Sequence, residues 1–338
     1  MMPPETVGRA TEREDNLTTG RENDVETDKA PVASTDAAPD TAIDTAIDAA
    51  GTAEKHLPRA RNPVFGPVAD LFRLLGTASA FVLFGLGGLV FPFVAAPGYL
   101  FGPKDPRSRT LRARRIVRAW FAIFVAVIRG LGLVRVEVKN AERLERPGLI
   151  LLANHPSLID VVCLMSKLGN ATTIVKASLT KNLFTRAPIR AAGYVPNDAG
   201  PDALEPLLAE LDAGTTFVIF PEGTRTPVDL PPGEYPRMHR GAVVLALEAR
   251  RPITPVRITA RPRWLTKDRA WWKLPPEPMT LTFEVLEDLP VDDYQELYNS
   301  RPPKAARRLT AELARRLFDV RPPEAEDARR SEALRDDV

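Results

Sequence analysis

The sequence predicts an α/β domain, a mixed, mainly parallel sheet flanked by helices, with an N-terminal hydrophobic helical segment ahead of it. Three observations carry this. Short apolar runs alternate with helix-patterned stretches, the element order of an α/β fold. The 28 residues from Leu74 to Phe101 carry no charge. Two polar motifs, NHPSLID and FPEGTRT, begin where apolar runs end.

The elements follow in order. Residues 1–57 carry thirteen acidic and five basic side chains, a net −8, whereas the whole chain is +2. With few aromatic or large aliphatic residues, they read as a disordered acidic tail. The repeat TAIDTAIDAA, Thr41 to Ala50, is at most a nascent helix. Residues 58–132 read as hydrophobic and basic membrane-anchoring helices. About twenty apolar residues suffice to cross a bilayer. The run from Leu74 is long enough, but Pro92 and Pro97 leave both a span and a re-entrant or interfacial element open. Lys104, Arg107, Arg109, Arg112, Arg114, Arg115 and Arg118 follow, opposed before Trp120 only by Asp105. They read as a juxtamembrane patch for anionic lipid. The apolar run from Trp120 to Leu131 fits a helix packed on the body or dipping into the interface.

A catalytic domain is expected over residues 133–320. VRVEVKNAERL alternates as a half-buried strand does, Pro147-Gly148 turns the chain, and GLILLA reads as a central strand ending at Asn154. A helix is expected from Asp160 to Leu168, a strand at Thr172–Val175, a helix at Ala203–Leu211 and a strand at Thr216–Phe220. AVVLALEA reads as a helix, Ile253–Ile258 and Leu281–Leu286 as strands. Pro303–Val320 reads as an amphipathic helix with Ala306, Leu309, Leu313 and Leu317 on its apolar side. Residues 321–338 read as a charged disordered tail.

The composition also excludes. A single cysteine, Cys163, rules out an internal disulfide framework and sits in an apolar context as a buried residue. His56, His155 and His239 lack ligand spacing, so no metal site is expected. The basic body suits anionic partners, but no nucleic-acid-binding motif is present.

Both motifs stand at strand ends, where open α/β sheets bind ligands. Pro156 fits the first turn of a helix. If His155 lies just outside that helix, Asp160 can turn back to one ring nitrogen and leave the other basic. Such a dyad deprotonates a hydroxyl attacking a carbonyl. A structural histidine at the helix start has the same spacing. There is no G-x-S-x-G elbow, so direct transfer is favoured over a covalent acyl-enzyme. In FPEGTRT, a Pro-x-Gly turn exposes N–H groups and Arg225 offers a fork for phosphate oxygens. Glu222 can accept from a substrate hydroxyl or hold Arg225, and a tight turn closed by that pair is the purely structural alternative.

With NHPSLID and FPEGTR in this order, the chain resembles the lysophospholipid acyltransferase family over roughly Leu144 to Pro262. The resemblance implies a glycerolphosphate acyltransferase-like fold. It implies His155 as general base, Asp160 as its orienting partner and Asn154 as motif support. It implies acceptor binding by Glu222, Gly223, Thr224 and Arg225, and Arg240-Gly241 match the basic-glycine entry to the following helix; Arg240, and Lys176 as a nearby cation, are further candidates for binding substrate. Ile253, Pro255 and Val256 match the family's late structural motif. The donor implied is acyl-CoA or acyl-acyl carrier protein, with no cofactor or metal. The acceptor implied is a lyso-phospholipid such as 1-acylglycerol-3-phosphate, met at the cytoplasmic side of a cell membrane containing anionic lipids. One position departs. An arginine commonly follows Gly193's counterpart by six residues, and Ala199 stands there. Lys176, Lys181, Arg186 or Arg190 can supply the charge, or the acceptor is another lipid alcohol, a glycolipid or an amino-acid-containing lipid. A non-catalytic lipid-binding scaffold and a thioesterase or lipid hydrolase are the readings from other classes.

Overall fold

The structure, a computed structural model, describes residues 66–231 and 233–319. The two expected tails, the 41–50 repeat and His56 lie outside the described residues.

Helix α1 (Gly66–Phe101) runs without a break through Pro92 and Pro97. At 36 residues it is about 54 Å long. It is the one described helix long and apolar enough to cross a membrane. One stripe of it is covered: Thr77, Ala80, Gly87, Gly88, Phe91 and Ala95 are buried. Small residues let it approach closely. A Cβ at Gly87 would strike the Trp120 indole, and one at Gly88 would strike the Phe184 carbonyl. The other stripe stays open, with Phe72, Val82, Leu86, Val90, Phe93, Val94 and Phe101 exposed.

Helix α2 (Pro106–Gly130) carries both the basic run from Arg107 to Arg118 and most of the apolar run from Trp120. Its start is set by Asp105, whose side chain accepts from Ser108 N, and by Pro106 in the first turn. Arg114 is not part of a surface patch. It is 5% exposed and donates to Ala192 O, Asn170, Glu210 and Thr215. Lys104, Arg107, Arg115 and Arg118 are exposed, whereas Arg109 and Arg112 are half-buried.

The sheet contains β1 (Val134–Lys139), β2 (Ile150–Ala153), β3 (Ala171–Val175), β4 (Val195–Pro196), β5 (Thr216–Ile219), β6 (Ile253–Arg261) and β7 (Met279–Val285). Their order is β1-β7-β6-β2-β5-β3-β4. All neighbours are parallel except β6 and β7, which are antiparallel. This is the mixed, mainly parallel sheet expected. The register Ile150↔Phe217 and Ile150↔Ile253 places β2 between β5 and β6.

A central strand covered on both faces needs apolar residues at every position, and β2 has them, all fully buried. Leu151 and Ala153 join Val218, Val256 and Phe283 in a core shared with α2 and with α3 (Asp160–Met165). Ile150 and Leu152 join Phe217 and Ile219 in a second core. That core is closed by α6 (Gly241–Ala249) and α8 (Pro302–Phe318), the latter through Ala306, Leu309, Leu313 and Leu317. Between these lie α4 (Arg186–Ala191), α5 (Leu204–Asp212) and α7 (Asp292–Ser300). The helix after NHPSLI is shorter than expected. It ends at Met165, and Pro156 lies in the loop before it rather than in its first turn.

Candidate active site

Strands β6, β2, β5 and β3 are adjacent and parallel, so their carboxyl ends share one edge of the sheet. Residues following β2, β3 and β5 therefore meet there: Asn154-His155, Lys176 and the FPEGTRT turn. Asn154 is 5% exposed and extends the ladder with its side chain. Its Nδ2 donates to Ile258 O at 2.8 Å, and its Oδ1 accepts from Ile258 N at 2.7 Å. An amide matches a peptide group in shape and polarity, which explains asparagine at the last position before the histidine.

His155 Nδ1 lies 2.9 Å from Asp160 Oδ2. The aspartate is fully buried, whereas the His155 side chain keeps 18% exposure. Asp160 also accepts from Ser157 N at 2.7 Å and from Ser157 Oγ at 2.6 Å. A carboxylate accepting from two donors of one serine is fixed in orientation and leaves its remaining capacity to the imidazole. With Nδ1–H donating to Asp160, Nε2 is the basic nitrogen. Phe220 packs on the His155 ring, centroids 4.5 Å apart.

The second motif is stitched to the first. His155 N donates to Glu222 Oε1 at 2.9 Å and to Thr226 Oγ1 at 3.0 Å. Thr226 N donates to His155 O at 2.7 Å, and Thr226 Oγ1 to Glu222 Oε1 at 2.7 Å. Glu222 is thus turned inward, 4% exposed, and does not pair with Arg225. Burial pushes its pKa up, against the opposing pull of the Thr226 and His155 donors. Arg225 instead donates from Nη1 to Leu265 O at 2.7 Å and Thr266 O at 2.8 Å. Among the described residues its Nε and Nη2 bond to no protein acceptor.

Gly223 has φ +64, and a Cβ there would meet the His239 ring at 2.9 Å. A side chain would be strained twice over, by backbone and by contact. Thr224 is exposed beside it. Lys176 and Arg240 are exposed, and neither bonds to the dyad. Ala177 N donates to the Asn197 side chain, so the Lys176 segment is tied to the loop that carries Ala199. Lys181, Arg186 and Arg190 are exposed nearby in sequence. Cys163 is 1% exposed, and burial followed by the Asp160 charge pushes its thiol pKa well up, leaving it inert.

Sequence reasoning missed Ser157, Phe220, Thr226 and the Leu265-Thr266 carbonyls. For Ser157 a signal existed, since Ser-x-x-Asp is a spacing in which the acidic side chain returns to the serine N–H. For the carbonyls of a distant loop there was none.

The acyltransferase family model matches residues 135–259, from β1 to most of β6, including both motifs. The 1-acyl-sn-glycerol-3-phosphate acyltransferase of Pseudomonas aeruginosa is 26% identical over 211 residues, 61% of this chain and 75% of that protein. The crystal structure of the 1-acyl-sn-glycerophosphate (LPA) acyltransferase PlsC from Thermotoga maritima is similar in fold. Its TM-score is 0.53 at 21% identity, covering 75% of this chain and 99% of that one.

Proposed function

We propose that the chain, matched by the acyltransferase family model over residues 135–259, acts as a lysophospholipid acyltransferase, moving a fatty acyl group from acyl-CoA or acyl-acyl carrier protein to the hydroxyl of a lyso-phospholipid. The observation that carries the reading is a partly open His155 held by a fully buried Asp160 beside the FPEGTRT turn. His155 Nε2 takes the proton of the acceptor hydroxyl as its oxygen attacks the thioester carbonyl. The tetrahedral intermediate collapses, the C–S bond breaks, and the leaving thiolate takes the proton back from the imidazolium. Asp160 holds the tautomer and stabilises the charged ring. Asn154 and Glu222 set the height of His155 by fixing its backbone.

The acceptor phosphate lies against the exposed side of the turn, at Gly223, Thr224 and the free N–H groups of Arg225. Glu222, turned inward, supports that turn rather than meeting the acceptor. Lys176 supplies the charge that Ala199 lacks, with Arg240 at the entrance to α6. Ala199 also favours a second reading of the acceptor, a lipid alcohol or glycolipid without the phosphatidate headgroup.

Membrane association rests on α1. Its covered stripe packs on α2 and the sheet domain along its length, while its other stripe is exposed and apolar. A helix held so along one side lies half-embedded in the bilayer interface rather than crossing it. Exposed Lys104, Arg107, Arg115 and Arg118 favour the cytoplasmic face, where anionic lipids concentrate.

The test is an acyl-transfer assay on purified protein in vesicles, with both donor types and a panel of lyso-lipids, products read by mass spectrometry. His155→Ala should lower transfer by about 10²–10⁴-fold with the fold retained. Wild-type transfer by that variant would sink the mechanism. Free fatty acid as the only product would identify a hydrolase, and binding without turnover a scaffold.

A further inference from the structure

Antiparallel strands need two to five residues to turn, yet β6 and β7 are joined by residues 262–278. A connection of that length in a compact domain is uncommon and generally has a task. This strap contains three of the chain's four tryptophans, Trp264, Trp271 and Trp272. It also contains Arg263, Lys267, Arg269 and Lys273 against Asp268 and Glu277.

Two of the tryptophans are open to solvent. Trp271 is 36% and Trp272 57% exposed, while Trp264 is 2% exposed and donates from Nε1 to Trp271 O at 3.1 Å. The buried indole thus holds the exposed pair from below. Trp271 and Trp272 meet edge-on at 5.7 Å. Trp271 also meets Phe81 of α1 at 5.5 Å. Arg73 of α1 donates to Pro275 O at 2.8 Å and Pro276 O at 3.3 Å. The strap is therefore fastened to α1 beside its exposed Phe72, Leu75 and Val82. Lys267, Arg269 and Lys273 are exposed on it.

Its other end reaches the catalytic edge. Leu265 O accepts from Leu158 N at 3.1 Å, and Leu265 O and Thr266 O accept from Arg225. Arg263 donates to Pro227 O and Val228 O just beyond the FPEGTRT turn.

We infer that the strap is a second membrane contact, in which Trp271 and Trp272 sit at the headgroup level of an anionic bilayer with Lys267, Arg269 and Lys273 on lipid phosphates. Indoles favour that level because their rings are apolar and their N–H is polar. The basic residues complement anionic headgroups, and the surface is continuous with the apolar stripe of α1. Through Leu265 and Thr266, the docked strap fixes the height of Arg225 and of the His155 loop above the lipid. This rests on the reading that α1 lies in the membrane.

The experiment uses the full chain and phosphatidylcholine vesicles with or without phosphatidylglycerol, with lipids brominated near the headgroup or near the chain end. Tryptophan emission of the wild type is compared with that of Trp271→Phe/Trp272→Phe. The difference signal, which belongs to the strap, should be quenched more by the shallow bromines. Lys267→Gln/Arg269→Gln/Lys273→Gln, altered only at exposed positions, should bind anionic vesicles about tenfold more weakly or worse, with little change on neutral ones. If the protein floats with vesicles while the strap signal stays unquenched, the strap proposal falls and the α1 reading stands. If the protein does not float at all, both fall. Quenching-independent burial of the indoles in a protein dimer, seen by sedimentation without lipid, also overturns it.

Discussion

Asp160 has no solvent exposure and accepts from Ser157 twice as well as facing His155. Replacing one of its oxygens with an amide nitrogen changes what it can accept. Asp160→Asn should present an N–H to His155 or to Ser157, turn the tautomer, and lower kcat by about 10³–10⁴-fold with KM for the donor little changed. Steady-state kinetics separates the two. Glu222 behaves differently, since its raised pKa is a statement about stability. A buried carboxyl that binds its proton more tightly when folded stabilises the fold fully below the ordinary carboxylate range. That contribution is lost as pH rises through the raised value. Glu222→Gln keeps an acceptor for His155 N and the Thr226 hydroxyl and removes the buried charge. Its melting temperature should match the wild type near pH 4.5, the ordinary carboxyl value, and exceed it at about pH 8. Thermal melts across pH would show an unchanging difference if the idea is wrong.

Among elements, β2 and β6 are the pair on which the site depends. Their ladder ends at Ala153↔Val256, and Asn154 continues it with two side-chain bonds to Ile258. Asn154→Ala would leave a buried N–H and a buried C=O without partners. The expected cost is about 2–4 kcal/mol, read as a lower denaturation midpoint with an unchanged slope. Transfer should fall as well, because His155 hangs from the freed strand end. Helix α2 shows how an element changes the meaning of its residues. Read as a run of charges, Arg114 belongs with its neighbours. On the helix it faces inward and ties the base of β5 to the end of α4 through Thr215 and Ala192.

The whole molecule has two kinds of surface. One belongs to the sheet domain, with buried layers on both faces. The other is the uncovered stripe of α1, a long row of large apolar side chains of the kind that marks an interaction face. Phe93, 78% exposed, and Val94 lie on it. Phe93→Glu/Val94→Glu should cut vesicle flotation by about tenfold or more while far-ultraviolet circular dichroism stays unchanged. A variant that floats like the wild type would remove α1 from the membrane contact.

The strand–helix order, the buried character of β2 and the two motifs were legible because each is a local pattern. GLILLA must be covered on both faces, and the Asp160 side chain can reach His155 only through a short turn. The apolar stripe of α8 was legible for the same reason, since Leu309, Leu313 and Leu317 recur at helical spacing. Pairings across long stretches of chain were not. That Glu222 turns to the His155 backbone while Arg225 turns to Leu265 and Thr266 depends on how separate loops meet above the sheet. So does the placement of β7 between β1 and β6, parallel to the first and antiparallel to the second, and so does the burial of Arg114. Local sequence fixes period, polarity and turn chemistry. Which donors a buried carboxylate or guanidinium finds is decided only when distant backbone arrives beside it, because an unmet charge there costs more than any local preference.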